Sequence, residues 1–206
     1  SWAVPGFIAG ILRATDAVGL GQPSFYIPVV RIVFCLISVS VIVSSYSIAK
    51  SLVSERAGLV AAFCAAFWYE LVYFAHKPMT DILSAYAFLG CMALALAPAP
   101  SRAAALGWGV LAALTVGIRF LIGPAVAVLV AFIVLRWPRR DVVIAIGAAV
   151  AVMGLFGLLD YATWGIPFIS MFNFFLYSGW YGLSKEFGVQ PFYFYFVGLA
   201  AKFFGI

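Results

Sequence analysis

The chain has 206 residues, of which 66% are hydrophobic and 9% charged, with a formal net charge of +5. A soluble domain carries roughly 45–50% apolar residues and could not bury this much apolar surface, so the composition excludes a soluble fold and indicates an all-α, polytopic integral membrane protein. Its Lys and Arg residues sit in short loops between apolar runs, with no basic stripe interleaved with exposed aromatics; this excludes a nucleic-acid partner and assigns the charge to orientation in the membrane.

Trp2–Leu20 is apolar, with Arg13 and Asp16 near its end. A span needs about 20 apolar residues, so this run predicts an interfacial helix or the tail of a longer one. Gly6 and Gly10 form a GxxxG spacing, which favours close helix contact. The Gly19–Pro23 cluster marks a turn. Pro28–Ala49 is the first clear span, with Arg31 placed to snorkel. Lys50–Arg56 is a charged turn, and Ala57–Ala75 is the second span, with Trp68, Tyr69 and Tyr73 as an interfacial belt around Glu70.

The hairpin His76–Asp81 follows, then a third span, Ile82–Pro98, and a breaker-rich turn to Arg102. Ala103–Ile118 is a fourth span, rich in small residues and so suited to close helix contact. Arg119–Pro124 interrupts the chain before a short fifth span, Ala125–Leu135. The basic turn Arg136–Asp141 leads to a sixth, Val142–Leu159. Asp160–Gln190 is aromatic, bears glycines and is too broken for an ordinary span. Pro191–Ile206 begins a seventh. The reading is six to seven transmembrane helices plus interfacial helices, in a single transmembrane domain over residues 1–206. Because the sequence starts without Met and stops within an apolar run, it reads as an internal piece of a longer protein. Cys35, Cys64 and Cys91 lie inside apolar runs without CxxC spacing and read as buried small hydrophobes.

Sorting Lys and Arg by side gives Lys50, Arg56, Arg102, Arg136, Arg139, Arg140 and Lys202 against Arg13, Arg31, Lys77, Arg119 and Lys185. The richer side is expected to be cytoplasmic. The hairpin, Arg119 and Asp160–Gln190 then face outward, towards the periplasm or the lumen.

That outward face collects the candidate chemistry. His76 and Lys77 can bind phosphate oxygens, and Asp81 can orient sugar hydroxyls or hold a divalent cation. The same hairpin also fits a solvated turn in which Thr80-Asp81 caps the next helix. An arginine at membrane depth is costly unless paired or wet, and the Arg119 guanidinium matches a lipid phosphate; it also fits an interfacial anchor. Glu70 is placed to pair with Lys77 or with Arg119. Asp160, Trp164 and Asn173 lie in a segment whose aromatic faces can stack sugars or line a lipid-chain groove, or simply lie flat in the interface. No Walker loop, dinucleotide fingerprint or HExxH occurs.

Three stretches together resemble a known family. They are Ser1-Trp2-Ala3-Val4-Pro5-Gly6, the hairpin His76-Lys77-Pro78-Met79-Thr80-Asp81, and Asp160 to Asn173-Phe174-Phe175, supported by Gly188-Val189-Gln190-Pro191 and by Arg119 at the close of a span. In order and spacing they are similar to the GT-C type polyprenyl-phosphate-sugar-dependent glycosyltransferases, above all the Alg9-like α-mannosyltransferases of N-glycan and GPI-anchor assembly. The hairpin departs from the family in carrying His76-Lys77 where an arginine is common, and Trp164-Gly165 stand in reversed order. The resemblance implies transfer of a hexose, mannose by expectation, from a polyprenyl-phosphate donor to an outward-facing glycan or lipid acceptor, in a bacterial inner membrane or the ER membrane. It implies that Arg119 and Lys77 hold the lipid phosphate, that His76 and Asp81 orient donor or acceptor, and that Asp160–Tyr195 form a groove wall. It also implies that the catalytic carboxylate lies in a loop just upstream of Ser1. The alternative function is a transporter or flippase for a lipid-linked solute, which would call for an internal repeat and mid-span polar residues; neither is evident.

Overall fold

The computed structural model describes residues 3–97, 100–181, 191, 193, 194 and 196–198. Among these the chain is helical, without a strand. The motif residues Ser1, Trp2 and Gly188–Gln190, Lys185 and most of the predicted seventh span lie outside the described residues. The chain forms two compact units, Ser1–Pro167 and Phe168–Ile206.

The first unit holds eight α-helices. They are α1 (Ala3–Ala17), α2 (Pro23–Leu52), α3 (Glu55–Phe67), α4 (Tyr69–Phe74), α5 (Thr80–Ala95), α6 (Arg102–Ile118), α7 (Gly123–Arg136) and α8 (Arg139–Trp164), with a 3-10 turn at Phe120–Ile122. Helices α2 and α8, of 30 and 26 residues, are long and apolar enough to cross a membrane; α5, α6 and the run Phe120–Arg136 are shorter apolar helices. Local chemistry sets their starts. Ser54 and Ser101 accept from the Ala57 and Ala104 backbone N–H groups at 3.2 and 3.1 Å, capping α3 and α6. Pro124 stands at the start of α7, where its missing N–H costs nothing.

Two boundaries differ from those predicted. The second span is not one helix: Trp68 takes ψ 116° between α3 and α4. The break sits where Trp68 and Tyr69 donate to Glu70 at 3.3 Å each, so interfacial polar contacts replace continued helix. The sixth span does not end before Asp160. Asp160 falls on the inward stripe of α8 with Val142, Ala145 and Gly157, so the helix carries it inside and stops only at Gly165, whose φ of 75° supplies a left-handed C-cap. Helix α1 packs on α2, with Phe7 edge-on to Phe34 at 6.0 Å.

Helices α5 and α6 run antiparallel, and α6 and α8 run parallel through an intervening α7. Small residues allow the closest crossings. A Cβ on Gly109 of α6 would overlap the Ala145 carbonyl and reach 2.8 Å from the Ala148 Cβ of α8. One on Gly58 of α3 would come within 2.9 Å of the Tyr46 carbonyl of α2. The core clusters at the end of the bundle that carries Arg102, Arg136 and Arg139, around Trp108, Ile133 and Trp137, with the two indoles edge-to-face at 6.3 Å. On the outside, Ile32, Leu36, Val39 and Val43 of α2 form an exposed apolar stripe. Water would penalise each by about 1.5–3 kcal/mol; acyl chains remove that cost. The helices, their outward-facing apolar residues and the composition together describe a polytopic membrane protein.

In the second unit, Phe168 sits at φ 59° ahead of α9 (Ile169–Phe175), and a π-helical turn follows at Leu176–Trp180.

Candidate functional site

The polar residues gather at the end of the first unit opposite the basic turns. Chain direction places there the start of α5 and the ends of α4, α6 and α8. Helix α4 leads into the hairpin, whose backbone is held by the Lys77 N–H on the Phe74 carbonyl and the Met79 N–H on the Lys77 carbonyl, both at 2.9 Å. His76 is half-buried in this turn. Lys77 places its Nζ 3.4 Å from the centre of the Tyr73 ring, one helical turn back. An exposed cation–π contact of this kind contributes about 0.5–1 kcal/mol. The ammonium also draws the Tyr73 phenol below its ordinary pKa, through hydrogen bonding and through its charge.

The α5 helix then begins, with Met79 rather than Thr80 or Asp81 at its N-cap. Asp81 lies in the first turn and is free to reach sideways. Its Oδ1 forms an ion pair with Arg119 Nε at 2.6 Å. Arg119 itself stands where α6 stops: it leaves helical geometry (φ −140°, ψ 92°), and its N–H still bonds the Thr115 carbonyl at 3.0 Å. The carboxylate partner of Arg119 is thus Asp81, not Glu70 as the sequence suggested, and Lys77 turns to Tyr73.

A second polar tie explains why Asp81 and Arg119 meet. One turn deeper, the buried Ser84 hydroxyl donates to the Thr115 carbonyl at 2.9 Å, and Thr115 Oγ1 donates to the Leu111 carbonyl at 2.8 Å. Deeper still, Cys91 Sγ lies 3.7 Å from the Trp108 carbonyl. The Ser84–Thr115 and Cys91–Trp108 contacts share one antiparallel register of α5 against α6, and each buried hydrogen bond contributes about 1 kcal/mol. The Ser84–Thr115 tie fixes α5 against α6 one turn below the ion pair. It was missed in the sequence, where lone hydroxyls inside apolar runs are its only signal.

Asp160 belongs to the same end. Phe156 of α8 packs against Gly117 of α6, so Asp160, one turn further, stands level with the turn that follows Arg119. It is buried, at 6% exposure. Trp164, a turn beyond, is exposed. The first unit thus brings His76, Lys77, Asp81, Arg119, Asp160 and Trp164 to one end. Asn173 lies in α9 of the second unit and is exposed there. No three His, Cys, Asp or Glu side chains among the described residues converge as metal ligands.

Beneath the ion pair, α1, α2, α5 and α6 enclose an open-sided, mostly apolar groove of about 880 Å³. Leu83 and Ile118 line it one or two residues past Asp81 and Arg119, and Ala93 and Leu94 line its far end. Eleven helical residues separate Leu83 from Leu94, about 16 Å along α5 at 1.5 Å each.

No curated protein and no solved structure matches the sequence. Residues 1–206 do match the family model described as the Alg9-like mannosyltransferase family. A helical membrane chain with cationic and acidic side chains gathered above an apolar groove agrees with that match over its full length, and the chain belongs to the Alg9-like mannosyltransferase family.

Proposed function

We propose that the protein transfers a mannosyl residue from a polyprenyl-phosphate donor to a glycan or lipid acceptor, at the bundle end that carries Asp81 and Arg119, and that this end faces the periplasm or lumen in GT-C fashion. The observation that carries this reading is the apolar groove starting directly below a cation. A lipid chain in the groove brings its phosphate to the level of Arg119. The Asp81–Arg119 pair is partly exposed (51% and 38%), and pairs of this kind contribute only about 0.2–1 kcal/mol. Arg119 can therefore turn to a phosphate at little cost, with Lys77 supplying a second cation from the neighbouring turn.

The charge change of the reaction suits this arrangement. The acceptor hydroxyl attacks the anomeric carbon, the bond from that carbon to the phosphate oxygen breaks, and the electron pair leaves with the lipid phosphate. A phosphodiester with one negative charge becomes a monoester close to two (second pKa about 6). Cations beside that oxygen stabilise the transition state more than the ground state. His76 and Asp81 orient the sugar or the acceptor. Asp160 and Trp164, at the same end of the first unit, contribute sugar contacts. A general base takes the proton of the acceptor hydroxyl.

The test is the donor. The full-length protein in nanodiscs is expected to transfer labelled mannose from mannosyl-phosphoryl-polyprenol and not from a nucleotide-mannose, with activity reduced about 100-fold by Arg119→Ala, the scale of losing one charge-stabilising donor. Transfer from the nucleotide donor at an equal rate would overturn the reading.

A further inference from the structure

The opposite end of the bundle holds a second cavity that the transferase reading does not use. It has a volume of about 890 Å³ and lies between the C-terminal ends of α2, α5 and α7, with Trp137 of the turn after α7. Lys50 and Arg136 come to it from two different helices, with the hydroxyl-bearing Tyr46 and Ser51 beside them. Trp137 also lines it, is 6% exposed, and has an indole N–H without an acceptor among the described residues. The cleft adjoins the apolar groove: Ser47, Ala93 and Leu94 line both.

We propose that this cleft takes the phosphate headgroup of an anionic phospholipid from the leaflet at the basic end, with one acyl chain entering the shared groove. Two cations with hydroxyl donors beside them are the groups a phosphodiester headgroup accepts from. The apolar continuation argues for a lipid rather than a free anion. Lys50 already meets Glu55 at 3.4 Å, but both side chains are largely exposed (49% and 70%), so the pair gives way readily to a phosphate. Arg136, whose guanidinium lies 5.2 Å from the Phe132 ring centre, keeps its donors for a ligand. Both cations also stand in the last turns of their helices, where they offset the negative ends of the helix dipoles. The inference is independent of which sugar the donor carries, and the acyl chain takes only the end of the groove lined by Ser47, Ala93 and Leu94.

The test uses the full-length protein in detergent, titrated by native mass spectrometry with phosphatidylglycerol and with phosphatidylcholine of the same acyl chains. Each basic side chain near an anionic lipid surface supplies about a fivefold preference, so the wild type is expected to favour phosphatidylglycerol on the order of thirtyfold. Lys50→Gln with Arg136→Gln should abolish that preference, Lys50→Arg with Arg136→Lys should keep it, and Arg13→Gln, on the exposed face of α1, should leave it intact. A preference that survives in the double glutamine variant overturns the proposal. So does displacement of the lipid by millimolar inorganic phosphate, which would make the cleft a soluble-anion site. Loss of polyprenyl-phosphate binding in the same variant would also overturn it, by making the donor the groove's occupant from this end.

Discussion

Gly109→Ala is expected to destabilise the bundle, although alanine is the better helix former. In the interior of α6 the exchange gains about 1 kcal/mol of helix propensity. The new methyl, however, would overlap the Ala145 carbonyl and approach the Ala148 Cβ to 2.8 Å. Both obstacles are short and rigid, one of them backbone, so α6 and α8 must move apart. Overpacking of this type costs about 1–3 kcal/mol, and the net loss is about 1 kcal/mol. Gly147→Ala is the internal control. It lies on the exposed face of α8 with nothing within 4 Å of its Cβ position, so only the propensity term applies, and it should gain up to about 1 kcal/mol. Unfolding of the full-length protein in mixed micelles, followed by circular dichroism against SDS fraction, separates the two. If Gly109→Ala proved as stable as Gly147→Ala, the backbone-to-backbone contact of α6 with α8 would be wrong.

Ser84→Ala should cost about 1 kcal/mol in the same assay for the lost buried hydrogen bond, and should lower turnover as well, because Ser84 sets the register that places Asp81 beside Arg119; loss of stability at full activity would remove that positioning role. A double-mutant cycle of Asp81→Ala and Arg119→Ala, read by unfolding, should give a coupling below about 1 kcal/mol, as expected for a half-exposed pair, whereas 3 kcal/mol or more would mean that the pair is a structural lock and not free to meet a phosphate. Lys77→Ala should return the Tyr73 phenol to its ordinary range, so that a Tyr73-specific ultraviolet titration, taken as the difference from Tyr73→Phe, moves to higher pH; an unmoved titration would place Lys77 elsewhere.

Much of the fold is legible in the sequence because lipid leaves so little choice of structure: apolar runs of this length must be helices. The small residues of Ala103–Ile118 correctly mark the helix that others pack against. What escapes is what depends on the third dimension. Asp160 looks like the polar end of a span, yet it shares the 3.6-residue stripe of Val142, Ala145 and Gly157, and α8 therefore continues past it. Trp68 breaks a run that contains no Pro and only a distant Gly, through side-chain bonds to Glu70 that no periodicity records. The candidate residues themselves were visible as rare charges among apolar neighbours. Their pairing was not, since choosing Asp81 over Glu70 for Arg119 requires the register of α5 against α6, and that register is fixed by Ser84 and Thr115.

The central claim is that Arg119 holds the phosphate of a polyprenyl lipid whose chain lies in the groove beneath it. Binding of polyprenyl phosphate, the reaction product, to full-length wild type and Arg119→Ala in nanodiscs tests this without any chemistry intervening. The account predicts affinity at least about tenfold weaker in the variant, consistent with the 1.5–3 kcal/mol of a hydrogen bond to a charged group, with little change for the uncharged polyprenol. Equal affinity of both proteins for polyprenyl phosphate would contradict it.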